Sequence, residues 1–172
     1  PRTDPAVIML IHDGGDNCIL GRQSVWRTGQ HSVLAGFVEP GESLEDAVTR
    51  EVFEEVGIRI SDVHYHSSQP WPFPSSIMLG FYGRAEEINL QVDTFELESA
   101  RWFSRDEIRN CPNDDGFRLP RSDSISRRLI EDWYLAAKQR GGDSASSAAS
   151  ACPGGGGGGG GGGSRVGAAL AA

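Results

Sequence analysis

Cysteine is scarce in this chain. Cys18, Cys111 and Cys152 are the only three, none in CxxC spacing and one inside a glycine tract. That scarcity argues against a disulfide framework or a zinc site within these residues, and unpaired thiols suit a reducing, intracellular, cytoplasmic setting. Long apolar runs are missing as well. The longest near the start, Ala6 to Ile11, is far short of the roughly 20 residues a membrane helix needs, so no membrane association is expected. There is no signal-peptide pattern, and the ending Ala-Leu-Ala-Ala carries no recognisable organelle address. A start at Pro1 without methionine leads to the expectation of a fragment or processed product.

Positive charge is also in short supply, with 16 Lys and Arg against 24 Asp and Glu and a net charge of −8. An acidic chain is ill suited to nonspecific binding of nucleic-acid backbones, which rests on Lys and Arg neutralising phosphates. Carboxylates that gather divalent cations can nevertheless turn an acidic patch into a phosphate-binding one, so a polyphosphate substrate stays open. From Gly141 onward the chain is almost entirely Gly, Ala and Ser, with an unbroken glycine run from Gly154 to Gly163. Such a segment has almost no apolar area to offset an ordering entropy of roughly 1–2 kcal/mol per residue. Residues 141–172 are therefore expected to be disordered and residues 1–140 to form one domain.

Ala6–Ile11 and Cys18–Gln23 are β-prone runs separated by Asp13-Gly-Gly-Asp-Asn17, which predicts a hairpin. Further strands are expected at 31–38, 58–66, 76–84, 88–92 and 100–103. One strong helix follows Pro40-Gly-Glu-Ser43, with Ser43 as N-cap and Gly57 as the C-terminal stop. Leu44, Ala47, Val48, Val52 and Val56 recur at three- and four-residue intervals and give it an apolar face. A second helix is expected over 122–140, with Ile125, Leu129, Ile130, Trp133 and Ala137 as its stripe, and a short one over 104–109. Together these elements predict an α/β or α+β sandwich with a mixed sheet.

The chemistry concentrates in the first helix. Glu51 stands three and four positions from Glu54 and Glu55, so the three carboxylates share a face, expected opposite the apolar stripe, with Arg50 placed to brace one of them. Any E-x-x-E-E run reads most simply as a solvated acidic face. Close-set like charges otherwise call for a shared cation, and hard oxygen ligands suit Mg²⁺ or Mn²⁺. Gly36 to Ile58 fits G-x₅-E-x₇-R-E-U-x-E-E-x-G-U, with U a bulky aliphatic residue, at every specified position. A chance match is on the order of one in a billion or rarer per starting position.

This pattern resembles the box of the Nudix hydrolases. The resemblance implies a Nudix fold, an α/β/α sandwich whose loop–helix–loop binds divalent metal and hydrolyses a nucleoside diphosphate linked to another moiety. It implies Glu51 and Glu55 as principal metal ligands, Glu54 as a ligand or the base for the attacking water, Arg50 as the residue that orients Glu51, and Glu42 as part of the site.

Downstream, Ser68-Gln-Pro-Trp-Pro-Phe-Pro-Ser-Ser76 alternates prolines with aromatic residues. Pro70, Pro72 and Pro74 hold the backbone extended, so Trp71 and Phe73 are presented stiffly, as suits stacking on a planar base. The plainer alternative is an aromatic loop without a ligand. No P-x-x-P spacing recommends an SH3 ligand. The stretch is similar to the SQPWPFPxS signature of the NADH pyrophosphatase branch of the Nudix family, as are Pro1–Pro5, Leu34–Phe37 and Ser126–Asp132. That branch resemblance implies hydrolysis of NADH to reduced nicotinamide mononucleotide and AMP, action on related dinucleotides, for some members removal of NAD caps from RNA 5′ ends, and room for a homodimer. It further implies Glu96 and the Ala35 carbonyl as metal ligands and Phe37 and Trp71 around the nicotinamide. Gln69, Pro70, Pro72, Phe73, Pro74, Ser75, Ser76 and Ser126 would line the pocket. Many members carry a preceding four-cysteine zinc ribbon, so structural Zn²⁺ is expected only in a region absent from this chain. Rival expectations are a Nudix hydrolase preferring ADP-ribose and a silent Nudix-fold binding module, although the box is intact. An NAD-dependent oxidoreductase would need a G-x-G-x-x-G loop after a strand, and none is present.

Overall fold

Six consecutive apolar residues can be buried in a strand only if both of its faces are covered, and Ala6 to Ile11 meet that condition at 0–1% exposure. The computed structural model describes residues 1–140, with side chains through residue 136. The glycine-rich segment 141–172 and the side chain of Ala137 lie outside the described residues. Strand β1 (Asp4–His12) is central. One of its edges pairs in parallel with β5 (Ser76–Ala85) over nine residues. The other edge is shared: β3 (Leu34–Phe37) pairs antiparallel with its first half, and β2 (Asn17–Arg22) closes the expected hairpin at His12 and Cys18. Beyond β5 lies β4 (Ile60–Trp71), and beyond β2 lies β6 (Ser99–Ser104). The sheet is mixed, with order β4-β5-β1-β2-β6 and β3 attached to β1.

Helix α1 (Leu44–Val56) covers one face, where Ala47, Val48, Val52 and Val56 pack with Val7, Met9, Ile11 and Phe81. The opposite face, carrying Ala6, Ile8, Leu10 and Met78, is closed by α3 (Ile125–Arg140) through Ile125, Leu129, Ile130 and Trp133. The short α2 (Arg105–Arg109) adds Ile108 and starts with a capping box between Ser104 and Glu107. Each layer follows the expected α/β/α sandwich.

Several boundaries differ from the sequence expectation, the strand expected at 31–38 shortening to Leu34–Phe37 among them. Residues 88–92 form no strand; their neighbourhood runs across the end of α1, where the Gln91 and Asp93 N–H groups donate to the Val56 and Glu55 carbonyls. Those carbonyls belong to the last turn of a helix and have no intrahelical donor, so the segment is held there rather than in the sheet. Strand β4 continues past residue 66 to Trp71 despite Pro70, because β4 is the sheet edge and an edge strand tolerates a missing N–H. Helix α3 begins at Ile125 rather than 122, after a turn in which Ser124 N donates to the Arg121 carbonyl.

Gly57 ends α1 in the left-handed region at φ 69°, where its N–H donates to the Phe53 carbonyl. A Cβ there would sit 2.7 Å from Gln91 Cβ, whereas one on Gly41, at φ 90°, would meet nothing within 4 Å. Both Gly→Ala variants carry a left-handed penalty of roughly 1–2 kcal/mol. Gly57→Ala should melt measurably below Gly41→Ala by calorimetry, since only it also displaces the crossing segment. Equal melting temperatures would refute that packing.

Candidate active site

The helix that carries the carboxylates is fixed at both ends. The Ser43 hydroxyl accepts from Asp46 N, and Glu45 and Asp46 lie in the first turn, where negative charge is favoured. At 100° per residue, Glu51 and Glu55 fall inside the arc that contains Ala47, Leu44 and Val48, not opposite it. The structure bears this geometry out and corrects the sequence expectation: Glu51 is 8% exposed and Glu55 2%. Only the Glu54 side chain, 44% exposed, stands in solvent.

Arg50 organises the cluster more widely than expected. Its guanidinium donates to both oxygens of Glu42 (3.0 and 2.6 Å), to Glu51 Oε1 (2.9 Å), to Glu54 Oε2 (3.2 Å) and to the Phe37 carbonyl (2.9 Å). The bidentate partner is Glu42, whose other contact, at 2.7 Å from Glu39 N, closes the loop ahead of α1. Arg50 thus ties β3, that loop and the helix into one unit. Gly36 explains how closely they approach, since a Cβ at that position would lie 2.0 Å from the Glu51 carboxyl carbon. Only glycine leaves room for the carboxylate against the β3 backbone.

Burial pushes the Glu51 carboxyl up to about 7 and outweighs the hydrogen bond from Arg50; Glu54 and Glu96 raise it further. Burial also lifts Glu55 well above the usual carboxylate range, with the charges of Glu51, Glu96 and Glu54 adding to it. Glu96 reaches the cluster from the turn 93–97, which is anchored to α1 by the Asp93 N–H on the Glu55 carbonyl. One oxygen of Glu55, Oε2, is buried without a hydrogen-bond partner. Buried, mutually repelling carboxylates with an unsatisfied acceptor are what a divalent cation would relieve, so these residues fit a hard metal ion. Among the described residues no three His, Cys, Asp or Glu side chains form a ready-made cage. Mg²⁺ and Mn²⁺ do not require one, because they keep waters and bind substrate phosphates. Ala35, on β3, lines the cleft beside Glu55.

The aromatic motif is a hairpin. Gln69, Pro70 and Trp71 end β4; Pro72, Phe73, Pro74 and Ser75 make the turn, with a cis Phe73–Pro74 bond; Ser76 begins β5 opposite Trp71. Phe73 is exposed at the tip, edge-on to the half-buried Trp71 at 5.6 Å. Phe37 and Trp71 pack against the same core cluster, on the α3 side of the sheet, while Glu51 lies against Gly36 on the α1 side. Through the order β3-β1-β5-β4 they stand three strand spacings apart, roughly 14 Å. Three expected pocket residues are engaged within the protein, Ser75 among them, whose hydroxyl donates to Asp4 Oδ2 at 3.0 Å. The Gln69 carboxamide accepts from Ile125 N and donates to the Asp123 carbonyl, which makes it the cap of α3. Ser126 is 1% exposed, and its hydroxyl hydrogen-bonds Ser32. Gln23 and Trp26, which line the cleft beside Glu55, were not singled out by the sequence. They sit among turn-forming residues outside both motifs, and no spacing rule distinguishes them.

The sign of the pH dependence follows from these shifts. Glu51 and Glu55 bind protons more tightly folded than unfolded, so their contribution is complete below the ordinary carboxylate range; that of Glu51 is lost as pH rises through about 7, and that of Glu55 is likewise lost on the alkaline side. Glu42, held low by Arg50, titrates below this window. Metal-free protein should therefore melt at lower temperature at pH 8 than at pH 5.5, Glu51 alone accounting for on the order of 2 kcal/mol over that interval. Glu55→Gln should flatten the profile in differential scanning calorimetry, and a profile rising toward pH 8 would contradict the assignment.

With this geometry in place, comparisons with known proteins identify the family. The profile of the NUDIX domain matches residues 2–125. NAD-capped RNA hydrolase NudC of Mycobacterium bovis (strain BCG / Pasteur 1173P2) is 45% identical over 142 residues, covering 77% of this chain and 45% of its own length. NAD-capped RNA hydrolase NUDT12 of Homo sapiens is 45% identical over 137 residues, covering 77% and 30%. The chain spans less than half the length of these curated relatives. A NUDIX hydrolase from Nitrosomonas europaea superposes with a TM-score of 0.64 at 18% identity, covering 81% of this chain and 74% of its own. A second from the same organism has a TM-score of 0.59 at 27% identity, covering 78% and 90%. By its box, its fold and these relatives, the chain belongs to the NUDIX family.

Proposed function

We propose that this chain hydrolyses the diphosphate bond of NADH and related dinucleotides, NAD caps on RNA 5′ ends included, in a reaction that depends on Mg²⁺ or Mn²⁺. The observation that carries this reading is the buried carboxylate pair Glu51 and Glu55, raised in pKa by burial and by Glu96, with one Glu55 oxygen unpaired. Relatives named as NAD-capped RNA hydrolases at 45% identity support the substrate class.

Glu51, Glu54, Glu55, Glu96 and the Ala35 carbonyl would hold the cation, which when bound neutralises the diphosphate and sharpens the acidity of a coordinated water. Arg50 fixes the Glu51 carboxylate and keeps Glu42 and the loop before α1 in register. Glu54, the exposed member, accepts the proton of the water that attacks one phosphorus in line. Trp71 stacks the nicotinamide, with Phe37 as a further aromatic face on the same side of the sheet, so a bound dinucleotide crosses the end of β3 with its diphosphate toward α1. Pro70, Pro72, Phe73, Pro74, Ser75 and Ser76 support this platform as its hairpin. Gln69 and Ser126 serve it indirectly, by holding the start of α3 behind it. The free thiols of Cys18 and Cys111 support a reducing, cytoplasmic setting; a homodimer is supported only by the branch resemblance.

Glu54→Gln should lower kcat by about 10²–10⁴-fold, as loss of a general base does, while the melting temperature changes little. Near-normal turnover of NADH with Mg²⁺ or Mn²⁺ would overturn the assignment. Trp71→Ala should weaken NADH turnover by about tenfold or more, from the roughly 1–3 kcal/mol of a stacking contact. ADP-ribose, which lacks the nicotinamide, should be turned over close to the wild-type rate. Equal losses on the two substrates would remove the nicotinamide platform from the mechanism.

A further inference from the structure

Two polar atoms deep in the molecule lack a protein partner and belong to residues that line one cleft. Trp26 is 9% exposed, and its indole Nε1–H meets no acceptor; Glu55 is 2% exposed, and its Oε2 meets no donor. Both residues line the cleft between β2 and β3, with Gln23, Ala35 and Leu97. An unmatched buried donor or acceptor costs roughly 1–3 kcal/mol, so two of opposite type on residues that line one cleft call for a group that can serve both. The cleft has room for about one water-sized group, too little for any part of a nucleotide larger than a single atom. Most of its lining is aliphatic, but Gln23, Trp26 and Glu55 each bring a polar group to it, enough partners for a single water.

We infer that one water molecule is held in this cleft, accepting from Trp26 Nε1–H and donating to Glu55 Oε2, with the Gln23 carboxamide as third partner. Trp26 and Gln23 are thereby positioning residues for the Glu55 carboxylate. The chemistry balances without adjustment: the indole supplies one hydrogen, and the water's two protons serve the carboxylate and the Gln23 oxygen. A carboxylate with one oxygen pinned this way presents the other in a fixed direction. Such outer partners typically alter the affinity of a metal ligand set by 10–100-fold. The consequence for cations rests on the reading of Glu55 given under the proposed function; the water itself does not.

Two measurements on the full chain test this separately. In metal-free protein labelled with ¹⁵N at the indoles, the four tryptophans give four Nε1–H signals. The Trp26 signal should show a cross-peak to a long-lived water, and Glu55→Gln should move it more than those of Trp71, Trp102 and Trp133. A Trp26 indole without water contact and indifferent to Glu55→Gln would overturn the inference. Mn²⁺ titrated by electron paramagnetic resonance should bind Trp26→Phe about 10–100-fold more weakly than wild type, the variant retaining a cooperative melt. Unchanged affinity in folded Trp26→Phe would remove the positioning role. Absence of Mn²⁺ binding in wild type would instead sink the proposed metal site, while the indole signals still decide the water.

Discussion

The arrangement depends on placing two carboxylates where a helix normally buries aliphatic side chains. Glu51 and Glu55 occupy the inward arc of α1 beside Val48 and Val52, and their burial raises both pKa values. A buried charge without compensation is expensive, so each neighbouring feature either limits that cost or uses it. Arg50 offsets part of it through Glu42 and Glu51. Gly36 permits the close approach to β3, and Glu96 adds to the negative potential that a cation would neutralise. The apolar contacts of Ala47, Val48, Val52 and Val56 keep the helix seated while its polar flank is left in tension.

Strand β3 divides the labour. Its Gly36 lies against α1 and the carboxylates, whereas Phe37 packs with the cluster beneath α3. The side-chain alternation of a single strand therefore puts the carboxylates and Phe37 on opposite faces of the sheet.

Residues of the Pro-aromatic motif also hold the fold together. Gln69 caps α3 from the edge strand, and Ser126 joins the same helix to Ser32 next to β3. Trp71 and Phe37 thus stand on a floor whose stiffness comes from α3. His66 adds to this, contacting Asp132 at 3.0 Å, as does the Tyr82 hydroxyl on the Leu129 carbonyl at 2.9 Å.

Much was legible in the sequence, because the relevant signals are local. The period of α1, its Ser43 and Gly57 ends, the continuous apolar run of β1 and the spacing of the box residues are each written within a few turns of chain, and with them come the helix, the mixed sheet and the candidate ligands. Tertiary structure decided what depends on partners distant in sequence. It turned residues 88–92 from a strand into a strap over the end of α1, made Glu42 the main partner of Arg50, and gave Gln69 a helix-capping role that the motif does not show. It also brought Trp26 and Gln23 to the cleft beside Glu55. A hydrogen bond or a buried charge takes its energy from what surrounds it in space, and a linear pattern records only one half of each such pair.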